Sequence, residues 1–179
     1  MERLRRFIWY LAGRLFLLLT LLSLFTVTFY YAMNATNIYI VLKDGMAKRA
    51  QVIMMDEDAS ELTKFFQSSY LQRDQNLQIA LEGKSPYTYY MVRGIDHRLK
   101  MTWMWCWPWD TTARAEFTET IPRIDGRVKS SSADAARALY GDGFEYPPKW
   151  QGGRYAATLV KENGQWHVRS LTLLAQVDE

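Results

Sequence analysis

Three hydrophobic patterns succeed one another along the chain, and each predicts a different element. Residues 15–33 read LFLLLTLLSLFTVTFYYAM, 19 residues without a charge. At 1.5 Å per residue this run spans about 28 Å, close to the roughly 30 Å hydrocarbon core of a bilayer. It is apolar on every face, whereas a helix lying on a core shows a one-sided stripe. A transmembrane helix is therefore predicted over 15–33.

The second pattern has a period of two. Across 95–107, Ile95, His97, Leu99, Met101, Trp103, Trp105 and Trp107 share one parity, and Asp96, Arg98, Lys100 and Thr102 share the other. That alternation predicts a strand with one buried and one wet face, as in an antiparallel sheet. A straight strand of this length would run about 40 Å, so a bend is expected. A second alternating run sets Ala113, Ala115, Phe117 and Ile121 against Arg114, Glu116, Thr118 and Thr120, and should pair with the first through a turn at 108–111. In the third pattern, apolar-rich stretches at 155–161 and 165–174 flank Asn163-Gly164, a strong signal for a two-residue hairpin. Trp166, Val168, Leu171 and Leu173 are expected on its core side.

The segments between are less periodic. Apolar-rich stretches at 38–42 and 51–55 surround Lys43-Asp44-Gly45 and predict a short strand pair, with an extension of the anchor helix as the alternative. Asp58 with Glu61 resembles a capping box, followed by Leu62, Phe65, Phe66 and Tyr70 at helical spacing. Asp74 can restart a helix carrying Leu77, Ala80 and Leu81, which Gly83 and Pro86 stop. Residues 122–150 read as an irregular connection holding one short helix at 134–140, between Ser132 and Gly141.

Charge sharpens this picture. The formal net charge is +3, and Arg3, Arg5, Arg6 and Arg14 against Glu2 account for it, leaving 18 Lys/Arg and 18 Asp/Glu in the rest of the chain. A balanced domain gives no nucleic-acid footprint. The basic tip, 1–14, instead marks the cytoplasmic side of the span. Trp9 and Tyr10 before the run, and Phe29, Tyr30 and Tyr31 at its end, suit the two interfaces. A cleaved signal peptide fits poorly, because cleavage after Ala32 or Ala35 would leave Tyr30 or Met33 at the −3 position. Cys106 is the single cysteine, which excludes an intramolecular disulfide and a multi-cysteine zinc site.

Candidate chemistry is sparse, and no catalytic, cofactor-binding or metal-binding residue is assigned. His97 falls on the inward parity and reads as a core or cavity-lining histidine, the one candidate base. His167 is expected to face solvent, and Asp110, Glu116 and Glu119 to form a solvated face. Trp103, Trp105, Trp107 and Trp109 surround Cys106 and Pro108. Their parity assigns three of them to the inside of a curved sheet, with a pocket or partner surface and a membrane interface as alternatives. Cys106 would then face outward.

A helical region, long antiparallel strands and the closing ATLVKENGQWHVRSLTLL resemble the nuclear transport factor 2-like (cystatin-like) fold over about residues 56–175. The resemblance implies an α+β architecture: a transmembrane helix followed by a bent antiparallel sheet packed on one or two helices, cone-like in shape. The expected organisation is a tip (1–14), a span (15–33), a membrane-proximal connector or strand pair (34–55) and a domain outside the membrane (56–179). Members of this fold include an anchored assembly subunit of secretion and conjugation machines as well as small isomerases and dehydratases, so the fold alone names no function. The expectation is a single-pass plasma-membrane protein, of a bacterial kind, with its N-terminus cytoplasmic. It would serve as a noncatalytic binding or scaffold module whose partners are the bilayer and an envelope protein or its own copy. The alternatives are a small cone-type enzyme or ligand binder, and an accessory subunit of a secretion, conjugation or sporulation assembly.

Overall fold

A single helix, α1 (Glu2–Met55), opens the chain in a computed structural model that describes residues 2–177. Its 54 residues reach about 81 Å at 1.5 Å per residue. The first part, through Met33, buries no residue, and its apolar run makes α1 long and apolar enough to cross a membrane. From Asn34 onward the same helix becomes a core element. Asn34, Ile38, Leu42, Met46, Arg49, Ala50 and Ile53 form a buried stripe at steps of three and four.

The strand pair expected at 38–55 is therefore replaced by helix. Its turn signal, Asp44-Gly45, has a different use: a Cβ at Gly45 would lie 2.9 Å from Phe65 Cβ, so glycine lets the next segment pack against the helix backbone. The helix stops at Asp56, whose φ of 57° is the left-handed conformation that commonly ends helices. Lys48 then holds Glu57 at 2.8 Å and Glu61 at 3.0 Å, turning the chain back along α1.

Short helical pieces follow: a 3₁₀ segment at Ala59–Lys64, α2 (Ser68–Leu71) and α3 (Gln75–Leu81). Asp58 caps the first by accepting from Ser60 N, while Glu61 binds lysines, so the capping box is only half formed. As expected, Asp74 starts α3, accepting from Leu77 N. The remaining chain forms β1 (Tyr90–Ile95), β2 (Arg98–Trp105), β3 (Thr112–Thr120), β4 (Ile124–Val128), α4 (Ala133–Tyr140), β5 (Gly152–Glu162) and β6 (Gln165–Val177).

These strands make an α+β architecture with two antiparallel sheets, β1-β4 and β2-β3-β5-β6. The expected hairpins β2–β3 and β5–β6 both form, the latter through Asn163 and Gly164 at φ 51° and 83°. Two readings change. The alternating run over 95–107 is divided, because Ile95 ends β1 in the small sheet and the chain crosses at Asp96-His97 into the large one. Inside the expected irregular connection lies β4, IDGRV, whose Ile124, Gly126 and Val128 face inward and whose Asp125 and Arg127 are exposed. Trp166 and Val168 are buried, Leu171 is partly buried, and Leu173 is exposed.

The stripe of α1 packs on α3, β1, β2 and β6. Its one charged member, Arg49, donates to Asp74 through Nη2–Oδ1 at 2.9 Å and through Nε to Oδ2. Both side chains are buried, and the Tyr70 hydroxyl also reaches Asp74, at 3.3 Å. One carboxylate thus caps α3 and fastens it to α1. Burial pushes the Asp74 carboxyl up, but the Arg49 bonds outweigh it and hold it below the usual range. Removing one partner of such a pair strands a buried charge, at about 3–5 kcal/mol. Asp74→Asn should lower stability by about that amount at neutral pH in denaturant melts of the full-length chain. A depressed carboxyl stabilises the fold above the unfolded Asp pKa. The wild type should therefore lose this advantage as pH falls through the lower folded value, and the two stability curves should converge there.

Candidate functional site

The placement of the tryptophans turns on a single extra residue. In the β2–β3 ladder Met101 pairs with Phe117, yet Trp103 pairs with Glu116. Thr102 is the unpaired residue of a β-bulge, and a one-residue slip exchanges the faces of everything after it. Beyond the bulge, Met104 opposes Ala115 on the inner face, while Trp103 and Trp105 oppose Glu116 and Arg114 on the outer one. The inward assignment of Trp103, Trp105 and Trp107 is thereby corrected: these side chains are 48%, 49% and 44% exposed, and Trp109 is 69% exposed. Cys106 moves the opposite way and is buried, with Sγ donating to the Trp107 carbonyl at 3.2 Å. Burial and the nearby Asp110 push its thiol up, which suppresses thiolate chemistry.

The loop after β2 orders these rings. Asp110 accepts from Trp107 N at 3.1 Å, and its own N–H donates back to the Trp107 carbonyl at 3.1 Å. Trp105 meets Trp107 edge to face at 5.3 Å, and Trp107 stacks on Trp109 at 5.4 Å with planes 6° apart. A long-range bond fixes the loop on the helix: Asn34 Nδ2 donates to the Pro108 carbonyl at 3.2 Å. Trp105, Trp107 and Trp109 thus form one run of ring contacts, tied to α1 through Pro108 at Asn34, one residue past the end of the apolar run.

His97 belongs elsewhere. At the β1–β2 crossing its side chain turns inward, and Nε2 lies 3.0 Å from Glu119 Oε1 in a hydrogen bond. Glu119 is fully buried, so its assignment to a solvated face is corrected. It shares the parity of Phe117 and Ile121, and that parity was the signal that could have found it. Glu116 lies on the outer face as expected and receives Arg154 at 2.6 Å. His167 is half-buried rather than solvent-facing. Glu119 and Asp74 both act electrostatically on Arg49 and Tyr155. Burial first, and Glu119 next, push the Tyr155 hydroxyl up.

A separate cleft of about 410 Å³ is lined by Ile53, Tyr87, Trp150, Tyr155 and Leu173 among others, and includes neither His97 nor Glu119. Burial raises the Tyr87 hydroxyl to about 12, so it is a neutral hydrogen-bonding group there. No three of His, Cys, Asp and Glu converge to hold a metal among the described residues. Comparisons with protein-family models, curated proteins and solved structures find no match for this chain.

The five residues singled out from sequence are thus split: His97 bonds Glu119 inside, and Trp103, Trp105, Trp107 and Trp109 share an outer face. The first group has the parts of an acid–base pair but does not line the cleft; the second offers apolar rings with hydrogen-bonding edges. An outer-face tryptophan should matter little to folding. Trp105→Ala should cost under about 1 kcal/mol, against about 3–5 for Phe117→Ala in the core, in parallel denaturant melts. A Trp105→Ala cost equal to that of Phe117→Ala would return Trp105 to the core.

Proposed function

We propose that the chain is a noncatalytic, membrane-tethered binding or scaffold module of a bacterial cell envelope. Its basic tip would lie in the cytoplasm and its domain outside the plasma membrane. The observation that carries this reading is the division of α1: an unburied apolar half that fits a bilayer, continuous with a half whose buried stripe belongs to the domain core. An anchor built this way needs no linker, so the domain stands at a set height and rotation. The cleft beside Ile53 would lie about 30 Å along the helix from Met33. That distance suits contact with a second envelope protein or another copy of the chain, as in an accessory subunit of a secretion, conjugation or sporulation assembly.

The resemblance to the nuclear transport factor 2-like fold agrees with this role. Its support is the element order and the bulged antiparallel sheet with helical pieces packed against it. Fusions of a reporter after residue 14 and at the C-terminus should report inside and outside, with the chain held in membranes through alkaline extraction. A mature product beginning near residue 36 would contradict the anchor.

A second reading, a small cone-type enzyme or ligand binder, rests on the buried His97–Glu119 pair. Acid–base catalysis needs a titratable group within reach of substrate. His97→Gln preserves hydrogen bonding and removes the proton switch. On the scaffold reading it leaves partner recovery and cellular phenotype unchanged. Loss of phenotype with fold and partners intact would favour the enzyme.

A further inference from the structure

We infer that Trp107 and Trp109 insert into the headgroup region of the outer leaflet, giving the domain a second membrane contact beside α1. This rests on the anchor reading above. The first support is height. The apolar run ends at Met33, and the next residue, Asn34, bonds the carbonyl of Pro108, which lies between the two tryptophans. One residue of helix is a rise of about 1.5 Å, whereas each headgroup layer is roughly 5–8 Å deep. A loop tied to Asn34 therefore sits within that layer once residues 15–33 fill the hydrocarbon.

The second support is chemistry. Trp107 and Trp109 are stacked and solvent-exposed, with apolar faces and N–H edges suited to the boundary between acyl chains and water. Left in water, so many adjacent exposed rings would form a sticky patch. Basic groups stand beside them. Arg114 lies across the ladder from Trp105, and Lys161 donates its backbone N–H to Thr111 at 2.8 Å, at the foot of the same loop. Arg114 can meet lipid phosphates; Lys161 Nζ lies over the Trp166 ring at 5.6 Å, and the loop's own acid, Asp110, accepts from Trp107 N.

The third support is topology. Thr112 at the start of β3 pairs with Val160 near the end of β5. The tryptophan loop and the Asn163-Gly164 turn therefore occupy one end of the sheet, the end beside Asn34. Ser85, just before the small sheet, reaches instead for the Ile53 carbonyl at the far end of α1. The second contact would fix which side of the rigid helix–domain unit meets the bilayer and point the cleft end away from it.

The test uses the full-length chain carrying Trp9→Phe, to silence the indole at the tip, in nanodiscs of phosphatidylcholine and phosphatidylglycerol. Lipids brominated near the glycerol end should quench tryptophan emission relative to unbrominated lipids. Adding Trp107→Phe and Trp109→Phe should reduce the quenched fraction at least about twofold with melting unchanged. Three results would overturn the inference. Absence of quenching in a chain that resists alkaline extraction would remove the loop contact and leave the anchor standing. Quenching undiminished in the double variant would assign the contact to another indole. Release of the chain by alkaline extraction would remove anchor and loop together. Tryptophans shielded by a protein partner or a second copy would give the first of these results.

Discussion

Continuity of α1 is the constraint on which the rest of the structure depends. A helix satisfies its backbone internally, so one rod can pass from an apolar run into a packed domain without exposing unpaired amides. At Asn34 the sequence changes from apolar on all sides to a single buried stripe, while the backbone does not change. The sheet and the short helices are assembled on that stripe. The position of the aromatic loop follows from it, because the loop is bonded to the first buried residue, Asn34.

The polar interior is consistent with a fastening role. Arg49–Asp74 joins α1 to the cap of α3, and His97–Glu119 joins the strand crossing to β3 in the large sheet. A buried ion pair seldom adds net stability over apolar packing, but it penalises a register in which either partner is left alone. The helix stripe is otherwise built largely from apolar side chains, so Arg49–Asp74 penalises any docking of α1 that leaves either charge alone. The second oxygen of Glu119, Oε2, is buried without a hydrogen-bond partner among the described residues, which is the cost of keeping the side chain there.

Much of this was legible in the sequence where a short rule sufficed. The 19-residue run, the Asn163-Gly164 hairpin, the β2–β3 pairing, the Asp74 cap and α4 all follow from local signals. The losses have one shared cause: spacing rules assume an unbroken period. One bulge at Thr102 inverted the faces of Trp103, Trp105 and Cys106. Gly45 reads as a turn until Phe65 is known to press against it. Glu119 carried the inward parity, but its charge masked it. Arg49 lay at the correct helical step from Met46 and Ile53, yet nothing local announces Asp74 as its partner. The strand β4 alternates, but over only five residues with Gly126 at the centre, and its pairing with β1 is not local.

The central claim, one unbroken rod from bilayer to domain, is tested most directly by a distance along it. Spin labels at Thr20→Cys and Asp44→Cys, in a Cys106→Ser background, can be read by pulsed electron resonance on the full chain in nanodiscs. Both sites are exposed, and an unbroken helix separates their backbones by about 36 Å. A single narrow distribution near that value is the expected result. A broad or markedly shorter distribution would mean a break at the membrane surface, and with it a domain free to turn on its anchor.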